Sequence, residues 1–460
     1  MDLSYIKLKK IKIALDSLCI YRVLLDDNVV YVLNELVNCL CGKTKKLDEY
    51  LKLYSSFYFN LCSQHPGKSF KEYIVDKLLF TCNPFSYIAE TYHTKDIDST
   101  FLMAVKDDLY KLSMISDVSS KDIKNCMIEY CTSFGYETDT VNSLPDWDKE
   151  RLEPVSKSYG INGIDSMRSY MLNSSDWSQC VNHLIDFHKS WGTGIFARYK
   201  AFVWDYCEGM GKLRGVEEPD PVSLSELIGY QTERKDVIDN TQCLLKGLPA
   251  NNILLYGDRG AGKSSTVKAI VNEFYCQGLR MVEVPKSRLI DFPIIINCLR
   301  KSSLKFIIFV DDLAFEDNEE NYTALKAALE GGVEIRPGNV VIYATSNRRH
   351  IIKERFSDRT GLYSANRDDE VRAADSIQEK LSLADRFGIT VVFSSPDKQK
   401  YLHIVEGIAK KRSLLISKEQ LHEQALKWAL WYNGYSPRTA RQFIDWLEGD
   451  LSKSRNNNDA

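Results

Sequence analysis

Apolar positions in the first part of the chain recur at helical spacing. Tyr31, Leu33, Leu36, Val37 and Leu40 make one stripe, and similar stripes run over Tyr50 to Leu61 and Tyr73 to Phe80. Gly and Pro are sparse there, and breaks fall at Cys41-Gly42-Lys43, His65-Pro66-Gly67 and Asn83-Pro84. The pattern predicts an all-helical N-terminal region, residues 1–214, with a polar stretch at 138–163 carrying Pro145 and Pro154 as a linker or exposed loop. Its tyrosines fit the edges of an amphipathic core better than a base-stacking platform. Helical stripes resume through Met167, Met171, Val181 and Leu184. Gly192 to Trp204 reads as a buried connector. Gly215-Val216-Glu217-Glu218-Pro219-Asp220-Pro221 reads as a linker into the next domain.

Beyond that linker the pattern changes. Short apolar runs appear at Ile253 to Tyr256, Met281 to Val284, Phe306 to Val310, Val340 to Ala344 and Ile389 to Phe393. Runs of this length, apolar throughout and spaced by helical stretches, predict buried parallel strands of an α/β domain over 215–395. After the break at Ser395-Pro396, three helical patterns follow: Lys398 to Arg412, Lys418 to Tyr432 and Pro437 to Leu451. Residues 452–460, polar and with three consecutive Asn, are expected to be a disordered tail.

Composition changes this picture little. The chain has 460 residues, enough for two to four domains. Its net charge of −3 gives no bulk case for nucleic acid or an anionic membrane, although a local basic patch remains open. Twelve cysteines are scattered before Arg300, none in a CxxC pair, so reduced thiols are expected rather than zinc ligands. His183 and His188 lie five apart and do not share a helical face, so a metal pair is not expected. Met1 to Leu18 interleaves lysines with Ile and Leu as an amphipathic helix does, and no apolar run reaches membrane-spanning length. The expected compartment is the cytoplasm.

The candidate chemistry begins where the first strand ends. The octet Gly257-Asp258-Arg259-Gly260-Ala261-Gly262-Lys263-Ser264 has the spacing of a phosphate-binding loop, followed by Ser265 and a helical pattern. Glycines let successive backbone N–H groups converge on phosphate oxygens at a helix N-terminus, which favours anions. Lys263 reaches for the β- and γ-phosphates of ATP, and the Ser264 hydroxyl can ligate Mg2+. Phe306 to Val310 ends in Asp311-Asp312, carboxylates at the strand edge where ligands of open α/β sheets sit. Asp311 is expected in the Mg2+ shell and Asp312 beside the attacking water. Val340 to Ala344 ends in Thr345-Ser346-Asn347, where the Asn either positions that water or caps a turn. Arg386 in ADRFG and Arg438 in YSPRTARQF are further candidates.

In this order the motifs resemble those of the AAA+ ATPases, over about Gly192 to Leu451. The wording GTGIFARYKAFVW, LIGYQTER, DDLAFE, YATSNRRH and SPRTARQF is similar to a bacterial AAA+ subgroup known mainly as a domain of unknown function. The resemblance implies a P-loop αβα core with a small helical lid, here 396–451. It implies that Leu227-Ile228-Gly229-Tyr230 contacts adenine, that Asn347 is the sensor-one residue and that Arg438 is the sensor-two arginine. It also implies that Arg386 is an arginine finger acting on a neighbouring subunit, hence a homo-oligomer. Asp312 departs from the pattern, since many members have Glu there. Asp is one methylene shorter and reaches about 1 Å less far, so a neighbour such as Glu316 could assist.

The function expected is ATP–Mg2+ hydrolysis used to remodel or switch a macromolecular partner, with an unknown protein bound by the helical N-terminal region. The alternative is a nucleotide-dependent loader or scaffold with little hydrolysis, with nucleic acid as a candidate partner. Val284-Pro285-Lys286-Ser287-Arg288-Leu289 lacks the aromatic and the Gly usual in threading AAA+ machines, which argues against an unfoldase. Lys286, Arg288, Arg348, Arg349 and Lys410-Lys411-Arg412 are instead candidates for phosphate contacts.

Overall fold

The computed structural model describes residues 3–42, 46–64, 67–148, 162–207, 209–313, 319–330, 337–347, 386–432 and 434–458. Two compact units result, Met1–Arg198 and Tyr199–Ala460.

The first unit is helical throughout its described residues. The predicted stripes fall in helices Asn28–Cys41, Leu47–Gln64 and Phe70–Phe80. Local chemistry sets the helix starts. Asp27 accepts from the amides of Val29 and Val30, Ser69 and Glu72 close a capping box, and Asn83 caps a helix that begins at Pro84. The tyrosines serve the core: Tyr50, Tyr54 and Tyr73 are buried. The Tyr54 hydroxyl donates to Pro145 O at 2.8 Å, and that of Tyr73 donates to Asp27 Oδ1 at 2.6 Å. Trp147, from the stretch expected to be an exposed linker, is buried with its ring 4.9 Å from Phe57 and 5.1 Å from Tyr54. That part of the stretch is therefore core.

The second unit is built on a seven-stranded sheet: β1 (Ala201–Cys207), β2 (Met210–Gly215), β3 (Ile253–Gly257), β4 (Leu279–Glu283), β5 (Lys305–Val310), β6 (Val340–Ser346) and β7 (Ile389–Phe393). Their order across the sheet is β2-β1-β4-β5-β6-β3-β7. All neighbours are parallel except the β1–β2 hairpin. The five strands predicted from apolar runs are all present. Three helices follow β7: Lys398–Lys411, Lys418–Trp431 and Pro437–Asn458. One hydrophobic cluster joins sheet residues Leu255, Ile307, Val341 and Phe393 to lid residues Tyr401, Ile404, Ala425 and Phe443.

Two expectations change. Gly192 to Trp204 is not simply a connector, because Ala201–Cys207 is a sheet strand, and the unit begins ahead of the linker at Gly215 rather than after it. The glycines that made the region read as a linker have packing reasons. A Cβ at 211 would lie 2.1 Å from the Trp204 ring, and one at 215 would lie 2.2 Å from the Tyr199 ring. The expected disordered tail is also revised. Helix Pro437–Asn458 runs through residues 452–458, and no Gly or Pro intervenes after Gly449 to stop it.

The parallel register positions the chemistry. Tyr256 pairs with Ser346 and Val310 with Ala344. β6 therefore carries Thr345, Ser346 and Asn347 between the phosphate loop on one side and Asp311-Asp312 on the other.

Candidate nucleotide site

The loop after β3 turns where side chains would not fit. Gly257 has φ 138, and a Cβ there would lie 2.0 Å from Phe393 O. Gly262 has φ 90 and directly precedes helix Lys263–Phe274. Lys263 is buried, and its ammonium donates to Gly257 O, Asp258 O and Asn347 Oδ1, each at 2.8 Å. All three acceptors are neutral. Burial lowers the Lys263 pKa, and the charges of Asp258, Asp311 and Asp312 oppose that shift. An ammonium held in this way beside a helix N-terminus is suited to a phosphate.

The next residue meets a carboxylate. Ser264 Oγ donates to Asp311 Oδ1 at 2.6 Å. The Thr345 hydroxyl donates to the same oxygen at 2.6 Å and accepts from the Asp312 amide at 2.8 Å. A hydroxyl beside a carboxylate is the hard-oxygen donor set that suits Mg2+, which takes few protein ligands and completes its shell with water and phosphate. Among the described residues, no group of three or more His, Cys, Asp or Glu could hold a metal by itself.

Asp312 adopts φ 51, a strained conformation for a side-chain-bearing residue. Asn347 Nδ2 donates to its Oδ1 at 2.5 Å, and Lys286 Nζ lies 3.2 Å from its Oδ2. Asn347 thus spans Lys263 and Asp312.

These residues line a cavity of about 620 Å3. Arg259, Gly260, Ala261, Gly262, Lys263, Ser264, Ser265, Asp311, Asp312, Asn347 and Arg438 of the predicted set all face it. Arg438 is brought there by the lid, where its amide donates to Gly260 O at 3.2 Å. Leu227 and Ile228 form an apolar end together with Ile404 and Ile408. Arg234, whose pKa burial lowers, fixes that segment by donating to Leu227 O at 2.7 Å and to Gly229 O.

Other predicted residues do not line the cavity. Gly257 and Gly229 are backbone turns at its margin. The Asp258 carboxylate turns away to accept from the Ser395 amide at 2.9 Å and hydroxyl at 2.6 Å, and these bonds lower its pKa. Tyr230 is buried, and its hydroxyl donates to Ser394 O at 2.6 Å. Arg386 precedes β7, whose other end pairs Phe393 with Gly257, so it lies at the far edge of the sheet from the phosphate loop. Of the phosphate candidates, Arg288 stacks on Tyr206 and Arg412 pairs with Asp445 and Glu448. Arg348, Arg349 and Glu316 lie outside the described residues.

Sequence reasoning missed several lining residues: Arg234, Thr345, Arg441, Gln442 and Asp445. Arg441 had a readable signal, since it stands one helical turn beyond Arg438.

A family model described as a protein of unknown function (DUF815) matches residues 197–451. The chain belongs to that family. The match covers the sheet-containing unit and leaves the helical region outside it, and the α/β architecture expected from the motifs, a mostly parallel sheet followed by three helices, is the one observed. No curated protein matches the chain. Among solved structures, the Thermotoga maritima RuvB Holliday junction branch migration motor is 17% identical over 51% of this chain and 67% of its own, with a TM-score of 0.35. Two mutants of that protein match at 17% and 14% identity with TM-scores of 0.36, each over 51% of this chain and over 67% and 68% of their own.

Proposed function

We propose that this DUF815 protein is an ATPase that binds ATP–Mg2+ and uses its hydrolysis to remodel or switch a macromolecular partner. The observation that carries the reading is the meeting of Lys263, Ser264, Asp311, Asp312, Asn347 and Arg438 around one cavity. Backbone amides of Gly260 to Ser265 and the Lys263 ammonium take the phosphates. Ser264 and Asp311 hold the cation, which when bound offsets the charge that develops on the transferred phosphoryl group. Asn347 orients the water, and the Asp312 carboxylate accepts its proton. The apolar slot of Leu227, Ile228, Ile404 and Ile408 takes the base. Arg438, fixed against Gly260, links the occupied phosphate end to the lid.

Arg386 at the opposite sheet edge fits a finger that serves a neighbouring subunit, which supports a homo-oligomer. The helical N-terminal unit is the proposed protein-binding part. Two of the basic candidates, Arg288 and Arg412, are engaged within the chain, which supports a protein partner over nucleic acid. Among the described residues, no helix is long and apolar enough to cross a membrane. Cytoplasmic residence is part of the proposal.

The loader or scaffold reading keeps one specific support. Both oxygens of the short Asp312 carboxylate are already engaged by side chains. Steady-state turnover separates the two readings. Hydrolysis abolished by Lys263→Ala and by Asp312→Asn, with ATP still bound by the second variant, supports the ATPase. Tight binding without turnover under any partner condition supports the scaffold. Mixing Arg386→Ala with Lys263→Ala subunits tests the finger, because recovered turnover requires action between subunits.

A further inference from the structure

A short turn after β4 connects the edge hairpin to Asp312. Trp204 Nε1 on β1 donates to Asp291 Oδ2 at 2.8 Å. Two residues further along β1, the Tyr206 ring carries the Arg288 guanidinium, 3.9 Å above its centroid. Asp291 and Arg288 both belong to the short stretch Lys286–Asp291, two 3-10 turns joined across a kink at Arg288. Its first residue, Lys286, reaches Asp312 Oδ2 at 3.2 Å. Lys286 lies just ahead of the kink at Arg288, so a shift of the Tyr206 ring against Arg288 also displaces Lys286.

We infer that Lys286 is a positioning residue for Asp312 and that the hairpin Ala201–Gly215 sets how firmly it holds. The inference rests on the hydrolytic reading above. Asp312 is drawn between Asn347, which follows β6, and Lys286 beyond β4, with one carboxylate oxygen committed to each. A carboxylate that accepts a proton from water has to offer an oxygen to that water. Lys286 therefore restrains turnover, and its release frees the carboxylate to act as the base. The Lys286 and Asp312 side chains are 43% and 51% exposed, and a pair so exposed is weak enough to open and close in each cycle. The hairpin tip, with exposed Tyr206 and Met210, is where an outside contact would pull on the segment.

The test is kcat and KM for ATP in the full chain, with nucleotide affinity measured separately by calorimetry. Lys286→Ala should raise kcat about two- to five-fold, the range an exposed ion pair can produce, with KM unchanged. Lys286→Arg, which restores the charge, should return kcat to the wild-type value. Tyr206→Ala should raise kcat in the wild-type background and add nothing to Lys286→Ala. Arg288→Lys, which keeps the charge but loses planar stacking, serves the same purpose if Tyr206→Ala unfolds. An unchanged or lower kcat in Lys286→Ala, or additive effects of the two sites, overturns the inference while the ATPase reading stands. If the wild type and Lys286→Ala both bind ATP–Mg2+ and neither turns over, the hydrolytic reading falls and this inference with it.

Discussion

Ser264 Oγ and Asp311 Oδ1 lie 2.6 Å apart although 47 residues separate them in the chain. β6 separates the strands that carry them, so the contact exists only because Ser264 opens a helix and Asp311 follows a strand at the same sheet edge. A hydroxyl and a carboxylate oxygen brought this close are hard donors that one dication could share.

Asp311→Asn should therefore preserve the fold and lose the metal. The amide oxygen can still accept from Ser264 and Thr345, but the charge that favours a dication is gone. The affinity for ATP–Mg2+ should fall at least about ten-fold, about 1.4 kcal/mol. Binding of ATP in the presence of a chelator should change much less. Calorimetry with and without Mg2+ checks this, and equal losses in both conditions would place Asp311 outside the metal shell.

His188 makes the helical unit sensitive to acid. It is fully buried, its Nδ1 lies 3.1 Å from Gly192 O, and its ring packs edge-on against Phe85 and Phe187. Burial lowers its pKa from 6.5 to about 4. Between those values the unfolded chain binds a proton that the folded unit refuses. Stability is therefore full above pH 6.5 and declines as pH falls toward 4, by at most about 1.4 kcal/mol per pH unit. Denaturant unfolding across this window should show the slope, and His188→Gln should flatten it.

Asp108 holds the start of the first unit together. Its side chain is fully buried and accepts from the backbone amides of Cys19, Ile20 and Tyr21, at 2.7 to 3.1 Å. Asp108→Ala strands three donors, the buried Tyr21 amide and the part-buried Cys19 and Ile20 amides, and a donor left unsatisfied away from water costs about 1–3 kcal/mol. A loss of about 3 kcal/mol or more in unfolding free energy is expected. Asp108→Asn keeps an acceptor and should cost clearly less. Equal losses would mean that packing rather than hydrogen bonding dominates there.

The parts of the site legible in the sequence share one signature, an apolar run cut off by Gly, Asp or Asn. Ile253 to Gly257, Phe306 to Asp312 and Val340 to Asn347 all read this way because a buried parallel strand must end abruptly where it meets a polar ligand. The hairpin hid because Gly211 and Gly215 make room for the rings of Trp204 and Tyr199, and glycines in sequence look the same whether they relieve crowding or bend a loop. Tyr230 was misplaced for a related reason. Its segment does reach the cavity, but its φ of 57 turns the ring under the lid, where Lys400 lies over it at 3.8 Å. Lys286 could be read as basic, but not as the partner of Asp312, because that pairing depends on the adjacency of β4 and β5.

Gly407 on the first lid helix offers a test of the base slot that leaves the phosphate end untouched. A Cβ there would lie 2.7 Å from Ile228 Cγ2 and 3.1 Å from Cγ1. Ile228 is β-branched and has little rotamer freedom with which to retreat. Gly407→Ala must therefore lift the lid helix or push Ile228 into the cavity. Alanine itself favours the helix by about 1 kcal/mol over glycine, so the thermal midpoint should hold or rise. Nucleotide affinity should meanwhile fall about three- to ten-fold, about 0.7–1.4 kcal/mol. Ile228→Val added to Gly407→Ala removes one methyl from the crowded pair and should recover part of the affinity. If Gly407→Ala binds ATP as tightly as the wild type, the base does not sit between Ile228 and the lid.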